Sequence, residues 1–311
     1  MGTPRIVLIS TGGTVAAQST TDGAVPRLSA RDLLPDDLAP EIVPVDLMSV
    51  DSSAMTTGDQ FAVAGAVEAA LADPSVDGVV VTHGTDTLEE TSYLVDLCHT
   101  DDRPVVFTGA QRTSDDPHGD GPANIAAALA AATDPGQRGR GVIVAFGGEV
   151  LSARGLFKAS TTDLNAFDTV HDRLRRQTLN GHVSTAPPRR VDALSLYPGV
   201  SPGLIAAAVS QQVAGLVLSA TGSGNTHPDI TAEVTAAVRA GIVVVVTTRV
   251  PFGEVVPTYG GGGGAVDLHR AGAIVSPWLR APQARIAIVA LLSTGATADE
   301  VGAFFAASGP A

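Results

Sequence analysis

Short apolar runs closed by turn residues alternate with longer, alanine-rich stretches along the whole chain. Continuous runs of Val, Ile and Leu at 6–10, 78–82, 105–108 and 142–146 predict strands in the first half. Runs at 191–197, 215–219, 242–247 and 286–292 predict strands in the second. Helices are predicted at 59–72, 86–97, 122–133, 202–213, 228–240 and 298–307. Strands alternating with helices of this length build βαβ units and a mostly parallel sheet. Continuous rather than alternating apolar runs fit strands covered by helices on both faces.

The stretch 173–190 breaks this rhythm. It carries Arg173, Arg175, Arg176, Asn180, Gly181, Pro187, Pro188, Arg189 and Arg190, with neither helical nor strand periodicity. The expected fold class is therefore α/β with two domains, each a mostly parallel sheet flanked by helices. A larger N-terminal domain spans 1–185, a linker 186–200 and a C-terminal domain 201–311. The glycine run at 260–264 predicts a flexible or tightly turning loop.

Composition narrows the function. The 311 residues are 44% hydrophobic and 16% charged, the balance of a globular protein with a sizeable core. Aromatics supply only 4%, so that core is built from Val, Ile, Leu and Ala. A net charge of −13, with no basic run to offset it, repels phosphate backbones and anionic lipid surfaces. No nucleic-acid or membrane partner is expected, and no stretch reaches the ~18 apolar residues of a membrane helix. No signal-peptide pattern precedes the first strand, which makes a cytoplasmic location the expectation. The seven histidines lack metal-site spacing and Cys98 is the only cysteine, so neither a metal nor another cofactor is expected.

One count changes the picture. Of nineteen basic side chains, eighteen are arginine and one is Lys158. A position that keeps lysine in so arginine-rich a chain points to a need for an amine that gives up its proton when desolvated. Lys158 stands in Lys158-Ala159-Ser160-Thr161-Thr162-Asp163, beside hydroxyls and a carboxylate that suit a base. Two other segments follow predicted strands, where ligands of parallel sheets bind. Ser10-Thr11-Gly12-Gly13-Thr14 reads as a tight turn or a close backbone approach to substrate, without the glycine pattern of a nucleotide loop. In His83-Gly84-Thr85-Asp86-Thr87, Asp86 and the following Glu89 have the spacing of a reciprocal helix cap. Thr85 and Asp86 also point at the same rim as Thr14. His83 is expected to pack beneath the Gly84 turn.

Thr11-Gly12-Gly13-Thr14-Val15 and His83-Gly84-Thr85-Asp86-Thr87 resemble the two signature segments of the bacterial asparaginase/glutaminase family, in its type-II-like branch. The segment around Lys158 resembles that family's catalytic-lysine segment. The similarity continues through Phe107-Thr108-Gly109-Ala110-Gln111-Arg112, Asp120-Gly121-Pro122-Ala123-Asn124, Gly222-Ser223-Gly224-Asn225 and 276–285, in order over nearly the whole chain. The resemblance implies an amidohydrolase that converts L-asparagine to L-aspartate and ammonia through a threonine acyl-enzyme. It implies Thr14 as nucleophile and Thr85, Asp86 and Lys158 as a second catalytic set. Backbone N–H groups of the Gly13 and Thr85 turns would be donors to the oxyanion. Ser52, Ser53, Ala110 and Asp86 would surround the small-molecule substrate, and Asn225 would arrive from a neighbouring subunit. A homo-oligomer follows, a tetramer built as a dimer of dimers.

The chain departs from the family in one respect. The family's mobile loop after the nucleophile carries a tyrosine, and 16–31 contains none. Tyr259, just before the glycine run, is the expected substitute, with Glu254 a looser counterpart to the family's acidic residue from the other subunit. The residues around Gly23 suit a lid. Rival readings are a glutaminase-asparaginase and a catalytically silent amino-acid-binding sensor on the same fold, although a sensor has no use for the lysine base.

Overall fold

The computed structural model describes residues 3–34, 40–179 and 185–310. Asn180 and Gly181, in the stretch that breaks the strand–helix rhythm, lie outside the described residues. The chain divides into two compact units, Met1–Thr169 and Val170–Ala311.

The first unit starts with β1 (Arg5–Gly12) and a short hairpin, β2 (Ala17–Thr20) and β3 (Gly23–Pro26). β4 (Glu41–Val50), α1 (Thr57–Leu71), β5 (Gly78–Thr82), α2 (Leu88–Cys98) and β6 (Val105–Thr108) follow. Next come α3 (Gly121–Thr133), β7 (Val142–Phe146) and β8 (Glu149–Ser152). A two-stranded ribbon of β9 (Leu156–Lys158) and β10 (Phe167–Thr169) closes the unit.

The main sheet runs β4-β1-β5-β6-β7-β8, parallel except for the β7–β8 pair. Every residue of β5, β6 and β7 is buried, as expected for strands covered on both faces. Alternate positions (Ile6, Leu8, Val80, Val106, Ile143 and Ala145) pack with Ile125, Ala128, Leu129 and Ala132 of α3. The intervening positions face the opposite side, where α1 packs on β1 and β5 and α2 packs on β7. Burying each such Val, Ile or Leu side chain contributes about 1.5–3 kcal/mol.

The hairpin 17–26 occupies the region read as a lid. Asp115 accepts the Ser19 N–H (3.0 Å) and hydroxyl (3.2 Å), tying the hairpin to the loop after β6.

The second unit contains β11 (Val191–Ser195), α4 (Gly203–Ser210), β12 (Gly215–Ala220), α5 (Pro228–Arg239) and β13 (Val243–Thr248). It ends with α6 (Ala265–Arg270), β14 (Ile274–Val275), α7 (Ala281–Ser293) and α8 (Ala298–Ala306). Its sheet, β11-β12-β13-β14, is parallel throughout. α4 and α5 bury Ile205, Ala208, Ile230 and Val234 against Leu216, Leu218, Val244 and Val246.

The strand expected at 286–292 is a correction: these residues lie inside α7. A wholly buried helix is apolar around its circumference, and its sequence reads like a buried strand. Pro282 in the first turn and the buried Gln283 and Ala284 before the run extend it to helical length, and α7 packs on β11, β12 and β13.

Candidate active site

In the order β4-β1-β5 the chain leaves β1 on one side and then crosses to the other, so β1 marks a topological switch point. Parallel sheets bind ligands beyond the strand carboxyl ends at such a point. Four of those ends meet here: Gly12-Gly13-Thr14 after β1, Ser52 after β4, His83–Asp86 after β5 and Gly109-Ala110-Gln111 after β6. Gly13, at φ +73°, donates its N–H to Val50 O at 3.0 Å. A Cβ built on Gly13 would lie 2.4 Å from the Cα of Gly84, and one on Gly84 would lie 2.5 Å from Ser52 Oγ. The turns of Thr14 and Thr85 are therefore stacked backbone to backbone, with the Ser52 side chain packed against Gly84.

Lys158 reaches this rim from the end of β9. Its Nζ donates to Thr85 Oγ1 at 2.8 Å and to Asp86 Oδ1 at 2.7 Å. Thr85 Oγ1 donates in turn to Gln111 Oε1 at 3.2 Å, while Gln111 Nε2 donates to Asp163 O at 3.1 Å. This makes a directional chain: a carboxylate, an amine, a hydroxyl and an amide carbonyl. Thr85 is buried and the Lys158 side chain is 19% exposed, whereas the Asp86 carboxylate is 55% exposed and open to a ligand. The Asp86 N–H donates to Ser52 Oγ at 3.2 Å and Thr87 Oγ1 donates to Ser52 O at 3.0 Å.

The supporting shell is polar and buried. Asp120 accepts the backbone N–H groups of Gln111 (3.0 and 3.1 Å) and Arg112 (3.0 Å). Asn124 donates to Asp120 Oδ2 at 3.1 Å and to Gly109 O at 3.0 Å. His83 packs beneath the Gly84 turn as expected, fully buried, with Nδ1 2.8 Å from Gly84 O. Burial pulls its imidazole down to about 4, which leaves the ring neutral and Nδ1 the donor.

The reciprocal cap expected from Asp86 and Glu89 does not form. Thr87 is the N-cap of α2 and makes no side-chain cap bond. The Asp86 carboxylate is drawn to the Lys158 amine, and Glu89 Oε2 accepts the Lys158 N–H at 2.5 Å.

Thr14 opens a single turn of 3-10 helix and is partly buried, and Ala110 is buried. Ser53 is exposed, its N–H and hydroxyl both donating to Asp51 Oδ1 at 2.9 Å. Asn225 and Tyr259 belong to the second unit. Asn225 Oδ1 accepts the Ala265 N–H at 3.2 Å, and its backbone pairs with Thr221. Tyr259 is 62% exposed. The glycine run after it is a tight turn, with Asp267 Oδ2 accepting the N–H groups of Gly262 (2.7 Å) and Gly264 (3.1 Å). Sequence reasoning read Glu89 only as a helix cap, and gave Gln111 and Asp120 no individual role beyond their place in segments resembling the family. The signals available for Gln111 were its place in that resembling segment and its position three residues beyond the end of β6.

Residues 5–188 match the family described as asparaginase, N-terminal, and residues 190–305 match the glutaminase/asparaginase C-terminal domain. The chain belongs to the asparaginase family. It is 32% identical over 312 residues to an L-asparaginase of Bacillus licheniformis, covering 93% of this chain and 96% of that one. It is 33% identical over 318 residues to a probable L-asparaginase of Deinococcus radiodurans, covering 97% of each. The crystal structure of a probable cytoplasmic L-asparaginase from Campylobacter jejuni superposes with a TM-score of 0.83 at 28% identity, covering 97% of this chain and 99% of that one.

Proposed function

We propose that this protein hydrolyses L-asparagine to L-aspartate and ammonia through an ester on Thr14. The observation that carries the reading is Lys158 Nζ within hydrogen-bond distance of both Thr85 Oγ1 and Asp86 Oδ1, on the rim that bears Thr14. Thr14 Oγ attacks the side-chain amide carbon and its proton leaves along the polar chain. Collapse of the tetrahedral adduct breaks the C–N bond, and the departing nitrogen takes up a proton to leave as ammonia. Water then adds to the Thr14 ester, with Lys158 accepting its proton through Thr85, and aspartate leaves as Thr14 regains its hydrogen. Backbone N–H groups of the Gly13 and Thr85 turns stabilise the oxyanion, one good donor being worth about 3–4 kcal/mol.

The exposed Asp86 carboxylate takes the substrate α-ammonium, and Ser52 and Ser53 take its α-carboxylate. Asn225 and Tyr259 act from a neighbouring copy in a homotetramer, and the enzyme works in the cytoplasm. Ammonia release from L-asparagine and L-glutamine by wild type, Thr14→Ala and Lys158→Met tests the reading. Release from asparagine that both substitutions abolish is the expected result. Binding of asparagine without release, or unchanged release from Thr14→Ala, would overturn it.

A further inference from the structure

Lys158 is held at both ends by one short segment of chain. Its amine meets Thr85 and Asp86, and its backbone N–H donates to Glu89 Oε2 at 2.5 Å, one helical turn further on. The ribbon that carries Lys158 needs such an anchor. β9 is three residues long and pairs with β10, outside the six-stranded sheet. A lysine side chain has four rotatable bonds, so a small shift of its Cα moves Nζ out of line with Thr85 unless the main chain is fixed.

We infer that Glu89 is a positioning residue for the Lys158–Thr85 pair, acting through the main-chain N–H of Lys158. Glu89 is buried in the first turn of α2, where helix N–H groups favour an acceptor. Glu90 on its own helix and Lys158 on β9 both act on it electrostatically. β7 carries no titratable side chain, and of the acids on α1, Asp59 is bound to Thr56 while Glu68 bears on Cys98 at the far end of α2. Burial holds the Glu89 carboxyl up at about 7 and the Lys158 N–H opposes that rise, so the contact favours the ionised acceptor.

The inference rests on the proposed role for Lys158, and two readouts separate them. Amide hydrogen exchange of the full-length protein reads the anchor directly. Exchange at Lys158 should quicken at least tenfold in Glu89→Ala and return near wild type in Glu89→Gln, which keeps an acceptor oxygen in place. Steady-state ammonia release from L-asparagine then reads the consequence. Glu89→Ala should lose at least tenfold in kcat with KM within twofold, and Glu89→Gln should stay within threefold of wild type. Unchanged protection at Lys158 in Glu89→Ala overturns the anchor whatever the activity. A kcat within twofold in Glu89→Ala, or equal losses in both variants, overturns the positioning role. A wild type that releases no ammonia instead removes the functional reading, while the exchange experiment still decides the anchor.

Discussion

Gly13 and Gly84 lie back to back, so close that a Cβ on Gly13 would fall 2.4 Å from the Cα of Gly84. This contact sets the turn of the proposed nucleophile against the turn of Thr85. Gly13→Ala adds a methyl where only backbone fits, at a φ of +73° that an L side chain rarely adopts. Ammonia release should fall at least tenfold, with a loss of about 1–3 kcal/mol from backbone strain alone. Gly23→Ala is the control, because Gly23 has φ +116° but nothing within 4 Å of its would-be Cβ. It should lose a little stability and keep its activity. Equal loss of activity in both variants would mean that general strain, not the Gly13–Gly84 contact, governs the site.

Lys158→Arg tests why lysine is kept. Guanidinium puts a permanent charge beside Asp86 and cannot take a proton at neutral pH, and its planar fork does not fit the point contacts to Thr85 and Asp86. A general-base step is worth about 10²–10⁴-fold, and the arginine variant should lose kcat in that range. Turnover within tenfold of wild type would reduce Lys158 to a source of positive charge.

Much of this was legible before the structure, for identifiable reasons. Strands such as β5, buried on both faces, write their burial into the sequence as unbroken Val runs, and the lone lysine announced itself by rarity. β4 was invisible because Pro44 and Asp46 interrupt it, and both residue types are rare in strands. Pro44 is tolerated because β4 stands at the sheet edge, paired to β1 on one side. The cap expected at Asp86 failed for a different reason. Spacing along a helix reports what two side chains can reach on their own element, and it says nothing of Lys158, 72 residues away, whose amine and N–H claim both acids. The role of Gln111 went unread likewise, since its side-chain partners come from two other segments.

Gln111→Leu removes the acceptor of the Thr85 hydroxyl at similar length. The hydroxyl is then free to turn, and the amide bonds to the Lys158 loop are lost with it. Because Gln111 lies behind Thr85 in the polar chain, kcat should fall about tenfold, equivalent to about 1.4 kcal/mol, with KM little changed. A change confined to KM would instead assign Gln111 to substrate binding.

Asp96→Ala probes the scaffold away from the site. The carboxylate is fully buried on α2, accepting the Val142 N–H at 2.8 Å and facing Arg154 Nη1 at 3.1 Å. Breaking a buried pair by removing one partner typically costs about 3–5 kcal/mol. Denaturant unfolding should show a loss of that size. A loss under about 1 kcal/mol would mean that water reaches Arg154 and solvates it.

Two buried titratable groups, His83 just before Gly84 and Glu89 in the first turn of α2, give stability a pH dependence of opposite sign. Glu89 rises from 4.5 to about 7 on folding, so the native state holds its proton more tightly than the unfolded chain. Its contribution is fully present below about pH 4.5 and is lost as pH rises through 7. His83 falls from 6.5 to about 4, so its contribution is present above pH 6.5 and lost as pH falls through 4. Between about pH 4.5 and 6.5 the two slopes oppose one another, and the wild-type profile conceals both. Glu89→Gln removes one of them. Relative to wild type, the variant should gain stability between about pH 4.5 and 7, by about 3 kcal/mol if the whole shift is expressed. Urea unfolding of both proteins across that range measures the difference. A constant gap would mean that Glu89 ionises like an ordinary surface carboxylate, and that its burial in the native state is relieved by solvent.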